Sequence, residues 1–518
     1  MNRSRVFLGI SVTTLSVLML ELSLTRLFSA TMYYHFAFMA ISLALFGSGA
    51  SGVFIYIVQR GLKPERTGQW LSVAAMLFAL SNLISLYVIL SNPLTFETGP
   101  ENYYRLARIY SAAALPFFFA GCAVTLAITR LARDISKLYL FDLAGAALGC
   151  LLLIPVLNFL GAINIVLLVS ALAAASGILF ASANGGGRAA LVCSLILAVG
   201  LAGLTAYNTA IHQIDIRKSK GFEESNVLFS KWNSFSRITV EGDFRSGIEI
   251  KIDADAATGI SKDASNNAIH QDARGALSAL VHHLKSNANV LIIGPGGGND
   301  VMAARVFGQK HITAVEINPI IALDVMSSEP FKSYSGSIYQ QPDVRLVVDE
   351  GRSFIRNSHD RYDIIQATMV DTWAATAAGA FSLSENNLYT VEAFKDYVTH
   401  LTDDGLLTMT RWYFGLKGWR IRVHVGTLPS CSHTRGPVCR TGPCANGSIW
   451  PTRSAPWQAA SRNTRRQYSP RRSHRRMPTD ARAPNSARVV PPSCCWTMTR
   501  LPRTSSGRAS PVPRDGRW

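Results

Sequence analysis

Cysteine is scarce wherever a fold could use it. Of eight cysteines, Cys122, Cys150 and Cys193 stand singly inside apolar runs, and the other five come after residue 430. A lone thiol in such a run acts as a small hydrophobe. No cysteine in residues 1–414 has a second cysteine or a histidine close by in sequence, as a zinc site or a disulfide scaffold would need. Net charge is missing there too, with 31 basic and 31 acidic side chains. The formal charge of +18 therefore belongs to residues 415–518, where 20 Lys and Arg face two acids, Asp480 and Asp515. A basic pI of that origin gives no reason for the body to bind nucleic acid, and none is expected as a partner.

Charge is also sparse in most of residues 1–208, and what remains is apolar. Crossing a bilayer as helix takes about 20 apolar residues. Seven runs qualify, at roughly 6–25, 36–58, 69–90, 110–129, 138–157, 162–182 and 189–208. The first resembles a signal peptide in carrying Arg3 and Arg5 ahead of an apolar stretch, but its length and the six runs after it favour a retained anchor. Small residues at 47–52 and 145–149 allow close helix contact in lipid. Glu21 and Asp142 sit inside apolar runs, where pairing with a neighbour such as Arg26 is the simplest account. A multi-pass integral protein of the plasma membrane is expected, with the lipid bilayer as partner. Basic groups at Arg3/Arg5, at Arg60/Lys63/Arg66 and at Arg130/Arg133/Lys137 fall on alternate sides and mark one face as cytoplasmic. Seven crossings would then put everything after residue 208 outside, against the cytoplasmic placement a nucleotide-using domain suggests. A miscounted run is the favoured resolution, leaving the soluble domain cytoplasmic.

From residue 209 the pattern changes. Ser236–Glu241 and Gly247–Asp253 alternate as short strands of a small β-containing lead-in, 209–285. Over 286–414 strands and helices alternate: strands at 289–294, 312–317, 344–348, 362–368 and 406–410, and helices from about 301, after Pro319, at 352–357 and at 390–401. That order predicts an α/β doubly wound parallel sheet. Ligands bind such sheets beyond the carboxyl ends of the strands, where strand order reverses. Gly294, Gly296 and Gly298 follow the first strand, and a turn without Cβ atoms lets a ligand approach backbone at the positive end of the next helix. Glu316 closes the second strand, 20 residues beyond Gly296, where a carboxylate can accept both hydroxyls of a ribose. Asp349 closes the third, where an acceptor can meet an adenine amino group. A Gly-x-Gly-x-x-Gly dinucleotide fingerprint is absent, because its third glycine would fall on Asn299 or Val301. The Gly-x-Gly-x-Gly present instead is the form associated with S-adenosylmethionine-type transferases.

Through these residues 225–414 resembles the spermidine synthase family, a branch of the class I S-adenosylmethionine-dependent methyltransferase fold, and the apolar front resembles that of its polytopic relatives. The matching stretches include Lys231–Ile238, Asp253–Thr258, Val290–Asp300, Ala314–Pro319, Glu350–Ile355, Tyr362–Ile365 and Leu388–Phe394. The resemblance implies S-adenosylmethionine or its decarboxylated form as donor. Gly296, Gly298 and Asp300 would surround its amino-acid or aminopropyl end, Glu316 its ribose and Asp349 its adenine. It also implies a small-molecule acceptor such as a polyamine, with Asp371 as catalytic base and Asp272, Glu385 and Tyr389 as substrate contacts. The family's paired acids after the fourth strand are incomplete here: Asp371 fits the second and Thr368 takes the place of the first. A hydroxyl is a poor base near neutral pH. The alternative is a membrane transporter or scaffold whose α/β domain binds a nucleoside without catalysis. His282 and His283 are adjacent on a predicted helix and point to different faces, so no metal pair is expected.

Residues 415–518 hold 19 Arg, one Lys, no Glu and 13 of the 22 Pro. They are expected to be a disordered basic tail that leaves the preceding domain truncated. Such a composition fits a shifted reading frame in a GC-rich gene.

Overall fold

The computed structural model describes residues 2–32, 36–94, 99–183, 187–262, 267–370, 387–415 and 418–427, all within one unit, Met1–Gly442. Six of the described helices are long and apolar enough to cross a membrane. They are α1 (Arg3–Thr31), α2 (Met39–Val58), α3 (Thr67–Ser91), α4 (Pro100–Arg130), α5 (Ile135–Ser182) and α6 (Arg188–Ile211). Their outward faces are as apolar as their inward ones: Leu45, Phe46, Val53 and Ile57 of α2 and Leu151 and Phe159 of α5 are all exposed. A helix in water would turn such side chains inward, whereas hydrocarbon solvates them.

The runs at 138–157 and 162–182 form the two arms of α5, whose 48 residues break at Gly161 (φ 77°, ψ 163°). That backbone conformation is almost confined to glycine. The arms double back beside α1. Thr14 donates to the Asp142 carbonyl at 2.9 Å, and a side chain on Gly145 would strike Ser11. On the second arm, Ser176 lies 3.1 Å from Thr13, and Gly9 faces the Phe180 ring. Residues some thirty positions apart in α5 thus meet the same two turns of α1.

Beyond the bundle, β1 (Lys218–Ser219) and β2 (Phe222–Glu223) form a small pair. A four-stranded antiparallel sheet follows: β3 (Val227–Trp232), β4 (Arg237–Asp243), β5 (Gly247–Ile252) and β6 (Ala256–Gly259). The alternation at 236–253 foretold β4 and β5, while β3 and β6 lack a clean period. Helices α7 (Asn267–Gly275) and α8 (Leu280–Leu284) lead into the main sheet.

The main sheet runs in the order β9-β8-β7-β10-β11-β12, comprising β7 (Asn289–Ile293), β8 (His311–Glu316), β9 (Val344–Val348), β10 (Tyr362–Thr368), β11 (Leu401–Gly415) and β12 (Gly418–Thr427). The first five in chain order are parallel, as the α/β alternation predicts, and β12 is antiparallel to β11. Helices α9 (Asn299–Val306), α10 (Phe331–Tyr334), α11 (Gly351–Asn357) and α12 (Val391–Thr399) connect them. Two apolar clusters fill the faces, one around Val290, Ile292, Ile312 and Ile364 and one around Leu291, Ile293, Ile365 and Tyr397.

Strand β12 corrects the boundary expected for the tail. Residues 418–427 fall in the segment expected to be disordered, yet they pair along β11 from Gly415↔Gly418 to Leu406↔Thr427. The reason is visible in the sequence: Ile421, Val423 and Val425 alternate with Arg422 and His424. A two-residue period beside an open sheet edge is enough to recruit a strand.

Candidate active site

Strand order reverses between β7 and β10, so the carboxyl ends of β7, β8, β9 and β10 frame one crevice. The glycine turn leaves β7 there. Gly294, Gly296 and Gly298 all have positive φ, at 67°, 51° and 88°. Gly298 caps α9, with its carbonyl accepting from Met302 N at 2.8 Å. The turn is also crowded from above by β6. A Cβ on Gly297 would lie 2.1 Å from the Gly259 carbonyl oxygen, and one on Gly296 would lie 3.1 Å from Thr258. The contact is fastened by Ser261 N donating to Gly297 O at 3.0 Å and Ser261 Oγ to Asn299 Oδ1 at 2.6 Å.

Glu316 ends β8 underneath this turn and is buried. Its Oε2 accepts from Gly296 N at 3.2 Å and its Oε1 from Asn318 N at 3.0 Å. Burial raises its pKa, and the backbone N–H groups of Asn318, Gly296 and Ile317 act against that rise. A carboxylate offers about four lone-pair directions, so these contacts leave it capacity to accept further hydrogen bonds. Tyr339, just before β9, donates to Gly296 O at 2.6 Å. Its hydroxyl pKa is pushed far up by burial and by the neighbouring Glu316 and Asp300 carboxylates.

Asp300 stands in the first turn of α9 and is also buried. Burial raises its pKa, opposed by hydrogen bonding to Thr368, Ser278 and Gln366. Gln366 in turn donates to Thr368 Oγ1 and to Ser278 O, both at 3.2 Å. Thr368, where the resemblance expects the first acid, thus accepts from Gln366 and lies beside Asp300. Asp349 is exposed at the end of β9, where its Oδ1 accepts from Glu350 N at 2.7 Å. The next residue, Glu350, caps α11 through Arg352 N and Ser353 N.

The remaining sequence-predicted residues are more dispersed. Asp272 is exposed on α7, which packs on α9. Tyr389 is half-buried in the 3-10 turn Asn387–Tyr389 and packs against the Leu291/Ile293 cluster. Asp371 and Glu385 lie outside the described residues. His282 is buried in α8, and its Nδ1 faces Gln309 Nε2 at 3.3 Å, while His283 stacks edge-on to Phe307. Three participants escaped the sequence reading: Tyr339, Gln366 and the β6 segment at Thr258–Gly259. Gln366 carried a usable signal, a polar side chain inside the buried run Ile364–Ala367, which must find a partner. Tyr339 carried none, and β6 carried no strand period, only the family match over Asp253–Thr258.

The fold is a parallel α/β domain with a crevice at its strand-order switch. Within it, residues 276–414 match the sequence model of the spermine/spermidine synthase domain, so the chain carries a spermine/spermidine synthase-like domain behind its helical front. A polyamine aminopropyltransferase of Pectobacterium carotovorum subsp. carotovorum (strain PC1) is 35% identical over 83 residues, 16% of this chain and 28% of that one. One from Buchnera aphidicola subsp. Acyrthosiphon pisum (strain Tuc7) is 25% identical over 130 residues, 25% of this chain and 42% of that one. The crystal structure of spermidine synthase from Thermotoga maritima aligns with 36% of this chain and 58% of its own, at 17% identity and a TM-score of 0.27. The chain thus spans less than half the length of these curated relatives.

Proposed function

We propose that this is a membrane-anchored transferase that binds an adenosyl sulfonium, S-adenosylmethionine or its decarboxylated form, and passes an aminopropyl or methyl group to an amine acceptor. The observation that carries the reading is Glu316, a buried carboxylate at the end of the second strand, tied to the backbone of the glycine turn. In this reading the ribose hydroxyls donate to Glu316, the adenine amino group to Asp349, and the transferable end lies beside Gly296, Gly298 and Asp300. Transfer forms a nitrogen–carbon bond as a sulfur–carbon bond breaks. The electron pair returns to sulfur and leaves a neutral thioether. The amine must shed one proton, for which Asp371 is the proposed base. Asp272, Glu385 and Tyr389 are proposed acceptor contacts, and the matched aminopropyltransferases make a polyamine the first acceptor to test.

A second reading, a binding domain without catalysis, is favoured by one observation. Thr368 stands where the resemblance expects an acid, and its hydroxyl accepts from Gln366 beside buried Asp300. Thermal-shift measurement of the purified full chain with both donors, and with Glu316→Ala as control, tests binding. A folded wild-type chain stabilised by neither donor would refute both readings. Donor binding with no transfer to any polyamine would leave the second.

A further inference from the structure

We propose that the chain crosses the bilayer seven times and carries its α/β domain on the extracytoplasmic face, the reverse of the cytoplasmic placement expected above. The argument begins with α5. Fully helical, its 48 residues would run about 72 Å, more than twice a hydrocarbon core of about 30 Å. Gly161 folds it instead into two antiparallel arms. Both outer ends lie beside the start of α1: Arg3 pairs with Asp134 at 2.6 Å, and Arg5 donates to Ser182 O at 2.8 Å. The tip lies at the opposite end, where Gly161 faces the Trp232 ring of β3. The end of α1 reaches that same side, since Ala30 O accepts from Ser219 Oγ and Thr31 O from Lys220 N. Starting from α1, the helices and the two arms of α5 therefore alternate across the bundle as seven passes, and the last delivers the α/β domain to the side of the Gly161 tip.

Charge assigns the sides. The turns on the Arg3 side carry Arg3 and Arg5, then Arg60, Lys63 and Arg66, then Arg130, Arg133 and Lys137, and finally Arg188. Those are nine basic residues. On the other side, the helix ends offer Arg26, which donates to Phe235 O at 3.1 Å, and Arg105 and Arg108 in the first turns of α4, both paired with Glu101 at 3.1 and 3.4 Å. After α6 come Arg217, Lys218 and Lys220, of which Lys218 faces Glu223 and Lys220 is buried against Asp255. A bias of this size in short loops places the Arg3 side in the cytoplasm. If the domain also uses an adenosyl sulfonium, which rests on the function proposed above, a transport step must supply it. A permanently charged nucleoside does not cross hydrocarbon unaided.

Two single-cysteine chains test the orientation with native cysteines replaced by serine: Gly61→Cys in the α2–α3 turn and Lys310→Cys on the α/β domain. Both positions are exposed. A membrane-impermeant maleimide should label position 310 in intact bacterial cells and position 61 only after permeabilisation. Labelling of denatured chains confirms that both thiols react. The opposite pattern, or equal labelling of both in intact cells, overturns the proposal. Should the serine replacements prevent folding, reporters fused after Trp518 of the unaltered chain decide it. Alkaline phosphatase should be active and green fluorescent protein dark, and the reverse overturns the topology. Neither readout depends on ligand, so orientation and donor binding fail separately.

Discussion

Replacing Glu316 by glutamine should separate the two duties of this side chain. In the wild type each carboxylate oxygen accepts one backbone N–H, from Gly296 at 3.2 Å and Asn318 at 3.0 Å. Glutamine keeps one acceptor and turns an NH2 group towards the other N–H. One buried donor then loses its partner, a cost of about 1–3 kcal/mol. Against that, a charge whose burial raises its pKa is removed, so the net change in stability should be small. Donor binding has no such offset. A ribose hydroxyl that donates to a carboxylate gains about 1.5–3 kcal/mol, so Glu316→Gln should weaken donor affinity by roughly one to two orders of magnitude. The pH dependence supplies a second signature. A raised carboxyl pKa means the ionised acceptor forms only as pH climbs through the folded value, so wild-type affinity should rise with pH and the Gln variant should lose that slope. Isothermal titration of the full chain in detergent, at several pH values, measures both. A folded variant with unchanged affinity and unchanged slope would show that Glu316 does not hold the ribose.

Three further changes probe the surroundings. Gly297→Ala sets a Cβ about 2.1 Å from Gly259 O, so the β6 segment must move away; we expect a loss of about 1–3 kcal/mol in melting experiments, whereas Gly275→Ala, which meets open space, should cost far less. His282 is held near pKa 4 by burial, against an ordinary value of 6.5. The unfolded chain therefore binds the proton first as pH falls, and about 3 kcal/mol of stability should disappear between pH 6.5 and 4; His282→Gln should flatten that acid limb. Thr368→Asp would restore the family's acidic pair but set a second carboxylate beside buried Asp300. The like charges should lower the melting temperature more at pH 8 than at pH 5, and an equal effect at both would argue that the two groups do not interact.

The glycine turn, Glu316 and the five parallel strands were legible because each is local: a run of Val and Ile, a turn needing positive φ, an acid at the end of a strand. The antiparallel lead-in was legible where Ile238, Val240, Ile248 and Ile250 alternate. Strand β6 was not, because Ala256–Gly259 has no apolar period and is held by pairing with β5. Tyr339 could not be found either, since its role arises where the β9 approach passes under a turn formed 43 residues earlier. The start of β12 was overlooked for a different reason. The composition of residues 415–518 is averaged over a long arginine-rich segment, and that average hides the seven-residue alternation at its beginning.

What no local pattern could reveal is how the helical bundle meets the glycine turn and Glu316. Two short routes join them. On one, Ser29 of α1 donates to Asp253 at 2.7 Å, Asp253 also accepts from Arg237 N at 2.7 Å, and buried Lys220 donates to the Asp253 carbonyl. Five residues on, the same chain reaches Thr258 and Gly259 above the glycine turn. On the other, Trp232 covers Gly161, and its neighbour Asn233 donates to Asn318 at 2.8 Å. Asn318 also donates to Ser236 at 3.0 Å and gives its backbone N–H to Glu316. Several members of these routes, Ser29, Lys220, Asn233, Ser236, Asn318 and Glu316, are buried polar groups with partners, and breaking such a bond leaves a costly orphan. The end of α1 and the Gly161 tip of α5 thus meet the β3–β6 sheet, and that sheet in turn packs on the glycine turn and on Asn318 beside Glu316.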